Sequence, residues 1–185
     1  MSSLTIKRIG NDIRNFNKDD LIGKEGIYCQ FNESNMYKLR AFILGNPETP
    51  YQYGYYLFDI EFPKNYPISP PLVKFLTNDG RVRVNPNLYK CGKVCLSFLN
   101  TWQGPKWTAC MNLSSSLRNI QSILHENPIN NEPGWENVNL KDRRAKKYNL
   151  VLSYFNIKTA IVDNINNCQS EYFKNIMIDY LKKKL

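Results

Sequence analysis

Near the N-terminus Ile6, Ile9, Ile13 and Phe16 fall at intervals of three, four and three, with Lys7, Arg8 and Arg14 between them. That spacing puts the apolar side chains on one stripe of an α-helix and predicts a first helix over residues 4–16. The period then changes. Tyr56, Phe58, Ile60 and Phe62 alternate with Leu57, Asp59 and Glu61, the two-residue repeat of a half-buried strand. The runs at 26–31, 36–44 and 71–76 predict three further strands. The connections GNPETPYQYG and FPKNYPISPP are short and rich in turn formers, which suits antiparallel neighbours, since parallel ones need long crossovers. A four-stranded antiparallel meander is expected.

Between Asp79 and Gly104 neither period is present. A structureless stretch of that length inside a compact domain is usually functional. Helical spacing returns at Leu113, Leu117, Ile120 and Leu124 and lapses across ENPINNEPGW. It resumes with Tyr148, Val151, Phe155, Val162 and Ile165, and ends with Tyr172, Phe173, Ile176 and Tyr180. The order of elements predicts an α+β fold with the helices set to one side of the sheet. A chain of this size supports one core, so the expectation is a single domain over residues 1–185, with a C-terminal helical extension from about residue 140.

Charge and composition narrow the function classes. There are 25 Lys and Arg against 16 Asp and Glu, a net +9, and 42% of the 185 positions are hydrophobic. These proportions exclude a disordered tail. No window approaches the apolar length of a membrane span. In MSSLTIKRIGNDIRN charges occupy the place where a secretory signal has its apolar centre. An intracellular protein is therefore expected, cytoplasmic or nuclear, neither secreted nor bound to a membrane. The basic balance raises nucleic acid as a partner. Against it, the densest groups, KDRRAKK at 141–147 and LKKKL at the C-terminus, lack the interleaved aromatics of a base-stacking surface and read as solvated helix faces. Cysteines at 29, 91, 95, 110 and 168 show no metal-ligand spacing, and His125 is the only histidine, so no zinc site is expected. In a reducing compartment these thiols should be free, most of them as small buried hydrophobes.

The irregular stretch contains RVRVNPNLYKCGKVCLSFLNTWQGPKW. Taken in chain order, GNPETPYQYGYYLFDIEFPKNYPISPP, NPNLYKCGKVCLS, TWQGPKW, an amphipathic helix and NEPGW resemble the ubiquitin-conjugating enzymes, over roughly residues 4–180. In that family a Pro-Asn pair precedes the active cysteine, with eight positions from Asn to Cys, the separation of Asn87 and Cys95. Asn85 stands where the family usually has histidine before proline; that triplet and the Asn-Glu-Pro-Gly stretch resemble the Z-type branch. Against that branch the chain is expected to lack a long N-terminal extension and much of the C-terminal tail. The resemblance implies the ubiquitin-conjugating fold and an acyl carrier. Ubiquitin or a ubiquitin-like modifier would pass from an activating enzyme to Cys95 as a thioester, then to a substrate lysine or a ligase. No metal or bound cofactor is implied, since the activating partner consumes the ATP.

The chemistry asks for a soft nucleophile whose acyl adduct stays reactive toward amines, which a cysteine meets. Cys95 is the candidate, its alternative being a packed core thiol, and the reading requires it to be accessible. Cys91 is read as incidental. Attack by an amine puts negative charge on the thioester oxygen; by resemblance Asn87 donates a hydrogen bond there, or else it only holds its own loop. An acceptor lysine is almost wholly protonated near neutral pH. Glu132 matches the family's acidic position and would take its proton, and the Tyr89 ring would pack on its stem; the alternatives are a solvated turn carboxylate and plain loop packing. Ser97 sits where the family often has Ser or Asp, and His125 falls at a helix end with no role attached. For partners, the resemblance puts Lys7 and Arg8 of the first helix against the activating enzyme, and Ile68, Pro105 and Lys106 against a ligase; the alternatives are ordinary helix solvation for the two cations and burial beneath its loop for Ile68. The other classes are an inactive scaffold and a basic nucleic-acid-binding module, separated from a carrier by whether Cys95 takes up a modifier.

Overall fold

The segment Ala41–Leu44 is apolar at four consecutive positions, and all four side chains are buried. A strand presents alternate residues to opposite faces, so such a run needs cover on both sides. It ends β2 (Lys38–Leu44), which pairs antiparallel with β1 (Ile27–Phe31) and β3 (Tyr55–Glu61), with β4 (Leu72–Phe75) beyond β3. The sheet order is β1-β2-β3-β4, the expected meander. One transverse row, Cys29, Ala41, Phe58 and Phe75, is buried across all four strands. The computed structural model describes residues 3–183.

Helices α1 (Ser3–Lys18) and α2 (Leu113–Ser122) pack on that face, through Ile9, Phe16, Leu113, Leu117 and Ile120. Ile6, placed on the α1 stripe by its spacing, is instead exposed; Thr5 and Asp12 take buried positions. Asp12 can be buried because three donors meet its carboxylate. Arg8 Nε lies 2.9 Å away, Leu113 N 3.3 Å away, and the Tyr66 hydroxyl completes the set.

The opposite face carries a helix too, which corrects the expectation of helices on one side only. In α5 (Glu171–Lys182), Phe173 and Met177 pack on Phe42, Leu44 and Tyr55. The Tyr55 hydroxyl donates to Met177 O at 2.8 Å. The cause is the unbroken apolar run of β2, whose outward residues would otherwise face water. From the main core toward the second cluster runs α3 (Arg143–Phe155), which continues as π-helix over Asn156–Asp163 into the short α4 (Asn164–Asn167), with Leu152 and Phe155 in the first and Ile161 and Ile165 against the second. Asn156 pins this stretch to the β2–β3 connection: Nδ2 donates to Gln52 O at 2.8 Å, and Oδ1 accepts from the Tyr56 hydroxyl at 2.6 Å. The buried hydrophobic residues here are Ala145, Leu152, Phe155 and Ala160, whereas Val151, Val162 and, in α5, Tyr172, assigned to the apolar stripes, are exposed. Leu152 fits the helical spacing as well as its neighbour does, and the π turns shift the phase before Val162. No helix among the described residues is long and apolar enough to cross a membrane.

Candidate active site

The stretch 79–104 has little regular structure, yet Val84, Leu88, Val94, Leu96, Phe98 and Leu99 bury their side chains in the main core. Its order comes from side-chain amides. Asn85 is 0% exposed and uses its full hydrogen-bonding capacity. Nδ2 donates to the Tyr51 hydroxyl at 3.0 Å and to Ile123 O at 2.9 Å; Oδ1 accepts from Asn87 N at 3.0 Å and from Asn131 Nδ2 at 3.2 Å. Tyr51, from the Thr-Pro-Tyr turn, lies fully buried beneath the loop and donates to Val84 O at 2.9 Å. Burial pushes its hydroxyl well above the usual tyrosine range, so it stays a protonated donor. An amide thus braces the loop completely where the family usually has an imidazole.

Past Pro86 the chain turns back through Tyr89–Lys93, closed by Gly92 N to Tyr89 O and Tyr89 N to Lys93 O, both 2.9 Å. Gly92 has φ +87, and a Cβ there would stand 2.7 Å from Phe75 O. Only glycine lets the turn dock on β4, where Phe75 N donates to Gly92 O at 2.8 Å.

Cys95 and Asn87 are bound reciprocally. Cys95 N donates to Asn87 O at 2.8 Å, and Asn87 Nδ2 donates to Cys95 O at 2.6 Å. The loop-holding role of Asn87 is therefore present, and it takes one of the two Nδ2 protons. The Cys95 thiol contacts Thr101 O at 3.2 Å, and the residue is only 3% exposed, whereas Cys91 and Cys110 are exposed. This corrects the expectation of an open thiol: the crossing at Thr101 nearly covers it. Thr101 holds that crossing, because its Oγ1 accepts from Leu96 N at 2.9 Å and shares its proton between Val94 O and Leu96 O.

Tyr89 and Glu132 come together through Arg83, which sequence reasoning missed. Arg83 lies 4.5 Å over the Tyr89 ring, donates to Pro86 O, and its Nη1 is 3.3 Å from Glu132 Oε2. Lys93 lies 5.8 Å from the same ring. The cations beside Tyr89 and the partner of Glu132 thus come from the chain itself. The only signal for Arg83 was a basic residue alternating with valines just before Asn-Pro-Asn. Ser97 opens a 3₁₀ turn, Ser97–Leu99, and packs against Gly104. His125 has both ring nitrogens engaged, Nε2 with Asn131 Oδ1 at 3.1 Å and Nδ1 accepting from Asn127 N at 3.2 Å.

Of the expected partner residues, Lys7 is exposed and Ile68 is 80% exposed, with Pro105 and Lys106 exposed as well. Trp107 Nε1 donates to Pro67 O at 2.7 Å, joining the loop of Ile68 to the segment of Pro105 and Lys106. Trp102, 44% exposed, adds an apolar ring to that segment. Arg8 is a correction. Its guanidinium is spent on Asp12, Ala109 O and Met111 O and lies over Tyr66, because a buried carboxylate one helical turn away needs a counter-charge.

An N-terminal helix, a four-stranded antiparallel meander, a long braced loop carrying one covered cysteine and C-terminal helices together make up the ubiquitin-conjugating fold. Residues 8–152 match the ubiquitin-conjugating enzyme family, and the chain belongs to it. It is 39% identical over 170 residues to ubiquitin-conjugating enzyme E2 Z of Xenopus tropicalis, covering 91% of this chain and 53% of that protein. Against ubiquitin-conjugating enzyme E2 Z of Homo sapiens it is 41% identical over 160 residues, 84% of this chain and 43% of that protein. Against probable ubiquitin-conjugating enzyme protein 17 of Caenorhabditis elegans it is 38% identical over 184 residues, 95% and 25%. The likeness within the family is to the Z-type branch, and the chain spans about half the length of the E2 Z relatives.

Proposed function

We propose that this chain is a single catalytic domain that carries ubiquitin or a ubiquitin-like modifier on Cys95. The Cys95 sulfur attacks the modifier's C-terminal carbonyl, held as a thioester by an activating enzyme that has consumed ATP. A new S–C bond forms and the activating enzyme's thiol leaves. In the second step a substrate lysine nitrogen, or a ligase cysteine, attacks the same carbonyl. The new bond forms as the Cys95 S–C bond breaks, the lysine loses a proton, and the thiol is regenerated.

The observation that carries this reading is the reciprocal tie between Asn87 and Cys95 in a chain of this family. It holds an amide against the Cys95 backbone with one Nδ2 proton left, which on this reading serves the oxyanion. Because Cys95 is 3% exposed, acylation includes a step in which the contact with Thr101 O opens. Glu132, freed from Arg83, takes the ammonium proton of the acceptor, and Tyr89 lines its approach. Lys7 serves the activating enzyme; Ile68, Pro105 and Lys106 serve the ligase. No metal or bound cofactor takes part, and the compartment is the cytoplasm or nucleus.

The test mixes the protein with activating enzyme, ATP and ubiquitin, or a ubiquitin-like modifier with its own activating enzyme, on a non-reducing gel. A reductant-sensitive band one modifier heavier is expected, lost in Cys95→Ala and kept in Cys91→Ala. No adduct with any modifier, or an adduct that survives Cys95→Ala, overturns the reading.

A further inference from the structure

Beside the site loop lies a groove of about 560 Å³ between Pro86, the turn around Ile129 and one side of α3. Its floor is apolar, made by Pro86, Ile129, Trp135, Tyr148 and Val151. Its rim is basic, with Arg83, Arg144 and Lys147, and Glu132 as the sole carboxylate lining it. Glu132 is already paired with Arg83 at 3.3 Å. Around the start of α3 the sequence KDRRAKK sets five cations against Asp142 alone. Asp142 is taken by Arg144 at 2.9 Å, whose guanidinium helps hold that carboxyl down to about 2. Lys141, Arg143, Lys146 and Lys147 all stand exposed. Two of the lining cations, Arg83 and Arg144, are thus paired, but Lys147 on the edge and the exposed Lys141, Arg143 and Lys146 beside it leave a surplus of positive charge, and an apolar slot with such a surplus is complementary to a chain segment bearing an aliphatic side chain among carboxylates.

Its place decides what such a segment is for. Pro86 forms part of the groove floor and is directly followed by Asn87, which is bonded to Cys95. Arg83 lines the groove and also lies over Tyr89. A segment seated there is held next to the loop that carries the thioester, so a lysine a few residues along it is delivered at high effective concentration. Nucleic acid fits less well. Of the two aromatic rings in the floor, Trp135 already carries Arg144 at 4.7 Å and Tyr148 is part-buried with its hydroxyl donated to Arg83 O at 2.8 Å, and an apolar floor gives a phosphate backbone nothing.

We infer that this groove selects the acceptor: it binds an acidic, aliphatic-containing segment of the substrate protein and presents the neighbouring lysine to Cys95. The inference rests on the acyl-transfer reading above, and its test separates the two. Binding is read first, on the unloaded full chain, by anisotropy of a fluorescent peptide with one lysine, one leucine and several glutamates. The acidic peptide binds and weakens as salt rises, while its arginine-for-glutamate counterpart does not bind. Lys147→Glu and Val151→Asp, both at exposed positions, each weaken it about tenfold, as expected for the loss of one rim charge or one floor contact. Single-turnover discharge is read next: the ratio of transfer to the acidic peptide over transfer to free lysine falls about tenfold in the same variants. A chain that never forms the thioester but binds the acidic peptide through Lys147 and Val151 sinks the carrier reading and keeps the groove as an acidic-peptide site. A thioester that discharges equally to both peptides, binding insensitive to the two variants, or an oligothymidine that binds where the acidic peptide does not, overturns the inference.

Discussion

The Asn85 amide and the Tyr51 hydroxyl stand 3.0 Å apart, both fully buried, and the hydroxyl passes the contact on to Val84 O. Three stretches far apart in sequence, the turn before β3, the site loop and the end of α2, meet on these two side chains. Tyr51→Phe removes one oxygen and leaves two buried partners unmet, a cost of about 1–3 kcal/mol. The urea midpoint should fall with the slope unchanged. A variant as stable as the parent would show that Asn85 braces the loop without Tyr51.

Cys95 should react with iodoacetamide in the native state more slowly than Cys91 and Cys110, in keeping with their burial. Thr101→Val breaks the bonds that hold the crossing over the thiol. A loss of about 1.4 kcal/mol from the closed form raises the open population roughly tenfold, and labelling of Cys95 should speed up by that factor. Mass spectrometry of each labelled peptide gives the rates. Unaltered Cys95 labelling would mean that Thr101 is not what covers the sulfur.

Asn87→Ala separates the two roles of that amide. Loss of the bond to Cys95 O alone costs about 1 kcal/mol of stability and leaves transfer nearly intact. Loss of an oxyanion donor slows discharge to lysine by about 10²–10³ while the thioester still forms. The second outcome is expected, read as single-turnover discharge at saturating lysine.

Phe173→Ala should cost about 3–5 kcal/mol, since Phe173 is 0% exposed and fills the cover over Phe42 and Tyr55. Because α5 lies on the far face of the sheet from the main core, the loss should be local. Amide exchange should speed up over 171–182 while the loop from Asn85 to Cys95 keeps its protection. Equal loss of protection in both would make α5 part of the cooperative core.

Much of this molecule is legible along the chain because its signals are local. The alternation at Tyr56, Phe58 and Ile60 states which strand face is buried, and the observed register places those residues on the core side. The spacing of Asn87 and Cys95 was legible through the resemblance, and the two residues are found bonded. Helix faces were harder. Val151 and Leu152 satisfy the same period, and only the packing of α3 decides that Leu152 is the buried one.

By itself the sequence determined the order of elements, the meander and the loop that carries the cysteine, because short-range sterics and hydrophobic periodicity act between near neighbours. Tertiary structure alone decided that Arg8 is spent on buried Asp12, that Arg83 gathers Tyr89 and Glu132, that Thr101 covers the Cys95 sulfur, and that α5 crosses to the second face. Even where the groups are near in sequence, as Arg8 and Asp12 one helical turn apart, the pairing follows from burial that the fold imposes. A buried charge or an apolar face is compensated by whatever the fold brings near, and which residue that is depends on chain geometry over long separations.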